Sequence, residues 1–135
     1  MNLRIYTDGG ARGNPGPSAH AVVVCKEDDF VLYEKATFLG NGTNNEAEYQ
    51  GLLAGLKLAR DYHAERVEVT MDSELVVKQM NGQYRVKAKN LQPLHQEAKR
   101  LTQEFDSVTF THVRRSHPMI SRADELLNRE MDANS

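Results

Sequence analysis

Two β-prone runs that each lead into an aspartate constrain the fold of this chain more than any other feature. Residues 3–7 precede Asp8, and residues 65–72 alternate apolar and polar side chains before the run closes on Asp72. Between them, residues 43–62 have the apolar spacing of a long helix. A right-handed strand–helix–strand crossover makes the two strands parallel, with their C-terminal ends together. The sequence therefore predicts two carboxylates side by side at one edge of a sheet.

The other elements follow from the same kinds of pattern. Thr43, Asn44 and Asn45 are candidate N-caps of the long helix, and Ser121 is the predicted N-cap of the last helix. Further strands are predicted at 19–26, 30–39 and 108–113, and further helices at 73–80, 90–105 and 121–131. The order β-β-β-α-β-α-α-β-α predicts an α/β fold, with a mixed sheet and helices on its faces. Because domains typically hold about 100–150 residues, we expect residues 1–135 to form one domain.

Composition excludes several classes of protein. The net charge of −2 argues against a broad basic surface for nucleic acid, although it leaves room for a local basic patch. Cys25 is the only cysteine, so no intramolecular disulfide can form and a reducing, cytoplasmic setting is expected. No apolar run is long enough for a signal peptide or a membrane span. We expect a monomer that does not contact membranes.

Asp8 and Asp72 have two possible roles. Asp8 alone is typical of an Asx-turn, and Asp72 alone is typical of a helix N-cap. Two adjacent carboxylates, however, repel each other unless one is protonated or a cation lies between them. Mg²⁺ and Mn²⁺ prefer carboxylate oxygens as ligands. The two aspartates together therefore favour a metal site.

Further acidic residues are candidates for the same site. Glu46 and Glu48 lie roughly 80° on either side of the apolar stripe of the long helix, so helical geometry does not choose between them. Asp124 follows Ser121 by three residues, which is also the spacing of a capping-box-like pair. The residue pattern leaves these assignments open.

Three blocks of the sequence resemble type 1 ribonuclease H (ribonuclease HI), in the order of that family and over essentially the whole chain. The blocks are Tyr6-Thr7-Asp8-Gly9-Gly10 with Asn14-Pro15-Gly16-Pro17, Thr43-Asn44-Asn45 with Glu48 and Tyr49, and Met71-Asp72-Ser73 with Ala123-Asp124-Glu125-Leu126. The resemblance implies the ribonuclease H-like fold, a five-stranded mixed sheet in the order 3-2-1-4-5 with helices on both faces. It also implies that Glu48, not Glu46, belongs to the site.

The same resemblance implies an endonuclease that hydrolyses the RNA strand of RNA–DNA hybrids with two Mg²⁺ or Mn²⁺ ions. Its catalytic and metal-binding acids would be Asp8, Glu48, Asp72 and Asp124. Asp8 would bridge both ions, with Glu48 and Asp72 on one ion and Asp124 on the other. Family positions near the RNA strand correspond to Gly9, Gly10, Asn14, Asn45 and Ser73. Thr43 and Asn44 correspond to positions suited to a DNA phosphate.

The loop that holds His117 and the segment 83–94 are both shorter than in the longer bacterial members. His117 lies in a predicted loop, residues 114–120, and we expect it to assist proton transfer or product release. Segment 83–94 is short and lacks the basic protrusion of some bacterial members. Arg85, Lys87 and Lys89 are its main substitutes, which predicts weak and salt-sensitive binding of hybrid.

Two alternative functions remain open at this point. One is a catalytically weak or silent hybrid-binding module on the same fold. The other is a related metal-dependent nuclease with another nucleic-acid substrate, such as a transposase or a junction resolvase. Clustered acids disfavour the silent module, because negative charge facing phosphates does not help a protein that only binds them.

Overall fold

The computed structural model describes residues 1–135 and contains five strands and four helices. The strands are β1 (Asn2–Ala11), β2 (Gly16–Cys25), β3 (Val31–Gly42), β4 (Arg66–Met71) and β5 (Ser107–His112). The helices are α1 (Asn44–Asp61), α2 (Glu74–Met80), α3 (Gln92–Thr102) and α4 (Pro118–Ala133). This element order is the one that the sequence predicts.

All five strands form one mixed sheet in the order β3-β2-β1-β4-β5, which confirms the predicted topology. Strands β1, β2 and β3 pair antiparallel, whereas β4 runs parallel to both β1 and β5. The register between β1 and β4 pairs Thr7 with Met71. Consequently Asp8 and Asp72, the next residues after this pair on the two strands, lie at the same level of the sheet.

Helices cover both faces of the sheet. On one face α1, α2 and α3 enclose a core cluster of 19 buried residues, which includes Leu3 and Ile5 of β1 and Leu52 of α1. On the other face α4 covers a smaller cluster of nine buried residues, which includes Tyr6 of β1 and Leu127. Alternate residues of β1 therefore pack into the two cores, because successive side chains of a strand point to opposite faces of the sheet.

Two boundaries that bear on the candidate site differ from the sequence-based prediction. Strand β1 does not end at Asp8 but continues to Ala11, because its pairing with β2 extends through that segment. Helix α4 begins at Pro118 with His117 as its N-cap, so the prediction that Ser121 is the cap is wrong. Proline suits the first helical position because its φ angle is already helical and its missing N–H would have no partner there.

None of the four helices is both long and apolar enough to cross a membrane.

Candidate active site

Three carboxylates meet at the edge of the sheet where β1 and β4 lie side by side. Asp8 comes from β1, Asp72 follows β4 directly, and Glu48 comes from the second turn of α1. One ligand oxygen of each residue lies within 4.8 Å of the others. We refer to Asp8, Glu48 and Asp72 as the carboxylate trio. The parallel register of β1 and β4 accounts for two of its members.

The third member depends on a close contact between α1 and β1 at Gly9. A Cβ atom on Gly9 would lie only 2.5 Å from both the carbonyl oxygen of Ala47 and the backbone nitrogen of Glu48. Only glycine lets the helix backbone approach the strand this closely. The contact brings Glu48 beside Asp8, the residue that precedes Gly9.

Helix capping separates the two candidate glutamates of α1. The Thr43 hydroxyl accepts a hydrogen bond from the Glu46 N–H at 3.1 Å, and the Thr43 N–H donates to Glu46 Oε1 at 2.8 Å. This reciprocal pair is a capping box. Glu46 therefore stabilises the helix start, whereas Glu48 is buried in the trio. The structure therefore places Glu48, and not Glu46, beside Asp8 and Asp72.

Capping also shows that Asp72 is not needed as the N-cap of α2. Ser73 has that role, because its hydroxyl accepts a hydrogen bond from the Val76 N–H at 3.3 Å. Asp72 instead presents its carboxylate to Asp8 and Glu48. The N-cap interpretation of Asp72 is therefore wrong.

The trio is short of hydrogen-bond donors. Asp8 Oδ2, Glu48 Oε1 and Asp72 Oδ1 are buried and have no hydrogen-bond partner. Burial, then the charge of Asp72 and then the nearby Asp124 together raise the pKa of Asp8 to about 8. Burial and then the charge of Asp8 also raise the pKa of Glu48 well above its ordinary value. Buried carboxylates held together in this way match the oxygen ligands of a hard divalent cation.

Asp124 lies next to the trio without belonging to it. It comes from the second turn of α4, lines the same cleft as Glu48 and contributes to the raised pKa of Asp8. Ser121 lies inside α4 and donates its hydroxyl to the Arg115 carbonyl at 3.0 Å, so it forms no capping box with Asp124. The Asp124 carboxylate is therefore available to the site.

Arg115 is a charged neighbour that the sequence interpretation did not include among the site residues. Its Nε lies 3.4 Å from Asp72 Oδ2, and its own side chain is largely exposed. Its position in the connection between β5 and α4, which leads to Asp124, was the available signal. The cleft around these residues has a volume of about 320 Å³, and its lining includes Gly9, Gly10, Asn44, Glu48, Arg115 and Asp124.

Three of the predicted substrate contacts, Gly9, Gly10 and Asn44, line this cleft, and hydrogen bonds of Asn14 and Asn44 also hold its walls together. Asn14 Oδ1 accepts a hydrogen bond from the Asn44 N–H at 3.0 Å, and Asn44 Oδ1 accepts one from the Ala11 N–H at 2.7 Å. These bonds tie the Gly-rich loop after β1 to the start of α1. Asn45 follows on the same helix turn and is partly buried. Gly9 and Gly10 line the cleft through backbone alone.

His117 lies outside the trio. Its Nδ1 accepts a hydrogen bond from the Met119 N–H at 3.2 Å, and its ring stacks on Tyr6 with 5.5 Å between ring centroids. The loop predicted for residues 114–120 is therefore shorter than expected, since the helix already begins at Pro118.

Comparison with known proteins identifies the family. A family model described as "Reverse transcriptase-like" matches residues 6–129. The crystal structure of RNase H1 from Halobacterium salinarum is 36% identical, with a TM-score of 0.93 over 98% of this chain and 99% of that chain. The chain belongs to the ribonuclease H family.

Two further ribonuclease H structures are similar. The N-terminal RNase H domain of Rv2228c from Mycobacterium tuberculosis is 42% identical, with a TM-score of 0.94 over 98% of this chain and 95% of that chain. LC11-RNase H1, solved in complex with an RNA/DNA hybrid, is 38% identical, with a TM-score of 0.91 over 98% of each chain. The chain spans 36% of the length of the complete bifunctional protein Rv2228c and 64% of the halobacterial ribonuclease HI.

Membership in the ribonuclease H family confirms the resemblance that the three sequence blocks carry. Ribonucleases H are metal-dependent hydrolases, and the carboxylate trio suits such an enzyme.

Proposed function

We propose that this chain is an endonuclease that hydrolyses the RNA strand of RNA–DNA hybrids and uses two Mg²⁺ or Mn²⁺ ions. The observation that carries the proposal is the set of three buried, unpartnered carboxylate oxygens on Asp8, Glu48 and Asp72. The hybrid bound by the similar LC11-RNase H1 supports the choice of substrate.

The four acids would divide the metal ions between them. Glu48 and Asp72 would hold one ion with Asp8, and Asp124 would hold the second with Asp8 from the α4 side. When bound, such ions supply a water nucleophile at neutral pH and stabilise negative charge on the leaving oxygen. The contribution of the chain is to hold the four carboxylates in place at the edge of the sheet, with Arg115 as a nearby positive charge for the substrate backbone.

The residues around the cleft would select the substrate. Gly9 and Gly10 present backbone without side chains, so an RNA strand can approach β1 closely. Asn14, Asn45 and Ser73 would offer donors and acceptors to the 2′-hydroxyl groups that distinguish RNA from DNA. Thr43 and Asn44 would bind a DNA phosphate through their side chains, because the N–H groups of Thr43, Asn44 and Glu46 already donate within the chain. Because Asn44 Oδ1 already accepts from Ala11, its amide NH₂ is the group free to donate.

The exposed segment after α2 would add a weak basic contact. Arg85, Lys87 and Lys89 are exposed there and form no salt bridge within the chain. With so few cations we expect hybrid binding to be weak, because few phosphate contacts release few counterions. We further propose a monomer in a reducing, cytoplasmic setting, which the buried free thiol of Cys25 supports; light scattering after gel filtration tests the monomer.

A cleavage assay tests the function directly. Labelled RNA–DNA hybrid, duplex DNA and duplex RNA are incubated with the protein in Mg²⁺ and in Mn²⁺, beside the variants Asp72→Asn and Asp106→Asn. Asp106 is an exposed carboxylate in a hollow beside Met1 and Glu65, away from the trio, so its variant is the matched control. We expect cleavage of RNA in the hybrid only, reduced to background by Asp72→Asn or EDTA and unchanged by Asp106→Asn.

The other outcomes separate the alternative functions. Binding of hybrid without cleavage in either metal would identify a silent binding module. Cleavage of duplex DNA would identify a related nuclease with a different substrate. Absence of both binding and cleavage in the wild-type protein would refute the proposal.

A further inference from the structure

His117 holds the first turn of α4 through its side chain. Its Nδ1 accepts from the Met119 N–H at 3.2 Å, and its carbonyl oxygen accepts the first helical hydrogen bond from the Ser121 N–H at 2.8 Å. A helix start leaves its first N–H groups without helical partners, and a side-chain acceptor satisfies one of them. His117 thus takes a position that Ser, Thr, Asp or Asn usually occupies.

This hydrogen bond determines which ring nitrogen carries the proton. Because Nδ1 accepts an N–H bond, the neutral ring has its proton on Nε2. Proton uptake could occur only at Nδ1, where it would displace the Met119 N–H and remove the cap. The ring also makes no hydrogen bond to any of the four acids. These contacts do not suit a group that shuttles protons during each turnover.

The ring of His117 also connects α4 to β1. It stacks on Tyr6 with 5.5 Å between centroids and 29° between the ring planes. Tyr6 is itself fixed, because it is buried and its hydroxyl donates to Asp29 Oδ1 at 2.6 Å. Tyr6 precedes Asp8 by two residues, and His117 precedes Asp124 by seven. One side chain therefore contacts both the strand that carries Asp8 and the start of the helix that carries Asp124.

We propose that His117 is a positioning residue that fixes α4 against β1 and so places Asp124 beside Asp8. The inference rests on the proposed function, in which both carboxylates hold metal. It replaces the role in proton transfer or product release that the sequence suggested. The cap sets where α4 begins, and the stack sets where the helix start lies on the sheet.

Three variants separate the two contacts from proton transfer. His117→Asn keeps a side-chain acceptor for the cap, His117→Phe keeps a ring for the stack, and His117→Ala removes both. None of them can transfer a proton at neutral pH. For a positioning role we expect Asn and Phe to keep kcat within about threefold of wild type, and Ala to lose about tenfold, as loss of a helix cap allows. Ala should also require more Mg²⁺ for half-maximal activity.

Two further measurements distinguish a positioning role from a general loss of stability or activity. The pH profile of kcat/KM for His117→Asn should have the wild-type shape, since no proton passes through the ring. The rise in melting temperature on adding Mn²⁺ should be smaller for His117→Ala than for wild type or His117→Asn. In EDTA we expect His117→Ala to melt about 3 °C below wild type.

Each remaining outcome is decisive. If His117→Asn and His117→Phe are as inactive as His117→Ala, and the pH profile of kcat/KM for His117→Asn loses a limb that wild type has, then His117 transfers a proton and the proposal is wrong. If all three variants match wild type in kcat, Mg²⁺ requirement and metal-induced stabilisation, the side chain positions nothing and the proposal is also wrong. If wild type fails to cut hybrid, the proposed function fails, whereas the Mn²⁺ melting series still tests the positioning role.

Discussion

The two faces of the sheet hold the acids of the candidate site in different ways. The carboxylate trio is fixed by the register of β1 with β4 and by the close contact of α1 with Gly9, above a core cluster of 19 buried residues. Asp124 depends on α4 alone, which covers a cluster of nine. Three of the four carboxylates are therefore positioned by the central fold, whereas the fourth follows the position of helix α4.

The contacts that hold α4 are correspondingly few. Its buried residues are Ile120, Ala123, Leu127 and Met131. The ion pairs Arg122–Glu34 and Arg12–Asp132 join it to the rest of the chain, but their side chains are substantially exposed and such pairs stabilise little. Elements with small apolar contact open more readily than a central core. Asp124 is therefore the acid whose position is easiest to disturb.

Matched leucine deletions in the two cores give the largest expected effect. Leu52 is fully buried in the α1 core, and Leu127 is 6% exposed under α4. Leu52→Ala should lower the free energy of unfolding by about 4 kcal/mol, and Leu127→Ala by about 2 kcal/mol, because the larger core has less room to relax. Urea titration followed by circular dichroism measures both.

The same pair of variants tests how the site depends on each core. After allowance for the folded fraction, Leu127→Ala should raise the Mg²⁺ concentration needed for half-maximal cleavage, since its helix carries Asp124. Leu52→Ala should leave that concentration within about twofold of wild type. An equal rise in both variants would contradict the division between the two faces.

A methyl group at Gly9 should disturb the rigid side of the site. Its Cβ would overlap the backbone of Ala47 and Glu48, whereas a Cβ on Gly10 would come no closer than 3.9 Å to Asn44 Oδ1. Gly9→Ala should therefore cost about 3 kcal/mol of stability and move Glu48 away from Asp8, and Gly10→Ala should cost less than about 1 kcal/mol. Denaturant melts and the Mn²⁺-induced rise in melting temperature of the two variants, side by side, check the difference; similar losses in both would show that the contact at Gly9 does not fix Glu48.

Much of this arrangement could be predicted from the sequence. The alternating pattern of residues 65–72 and the crossover rule predict that Asp8 and Asp72 lie together. The alternating pattern of each strand can be recognised locally, and it sets the register between the strands. The choice of Glu48 could not be made from helical spacing, since Glu46 is equally distant from the apolar stripe. What decides it is the capping box at Thr43 and the contact with Gly9, which are tertiary features.

The start of α4 is where the sequence-based prediction is wrong, and the physical cause can be named. Histidine is not among the preferred N-cap residues, so the sequence pattern favours Ser121 as the N-cap over His117. Pro118 gave a signal for the true start, because proline is favoured at the first helical position. The contact of Arg115 with Asp72 joins residues that are 43 positions apart, and no local pattern encodes it.

A pH series on Asp8 compares the two sides of the site directly. Its pKa is raised from 3.8 to about 8, first by burial, then by Asp72, and then by Asp124. A carboxyl whose folded pKa is raised stabilises the fold fully below the unfolded pKa, and this contribution is lost as pH rises toward the folded value. In EDTA, Asp8→Asn should therefore match wild type near pH 4 and have the higher free energy of unfolding at pH 8.

Comparing the stability of each variant with that of wild type at the same pH separates the effect of Asp8 from that of groups with the opposite pH dependence. Buried His20 has a pKa lowered to about 4, which reduces stability as pH falls below its ordinary value of 6.5, but it does so equally in every variant. Because Asp72 raises the pKa of both Asp8 and Glu48, whereas Asp124 raises that of Asp8 without contributing to that of Glu48, Asp72→Asn should stabilise the metal-free protein at pH 8 more than Asp124→Asn. Urea melts at pH 4, 6 and 8 in EDTA measure all three variants against wild type. A larger gain from Asp124→Asn would place the fourth acid inside the rigid cluster and reverse the distinction between the two faces.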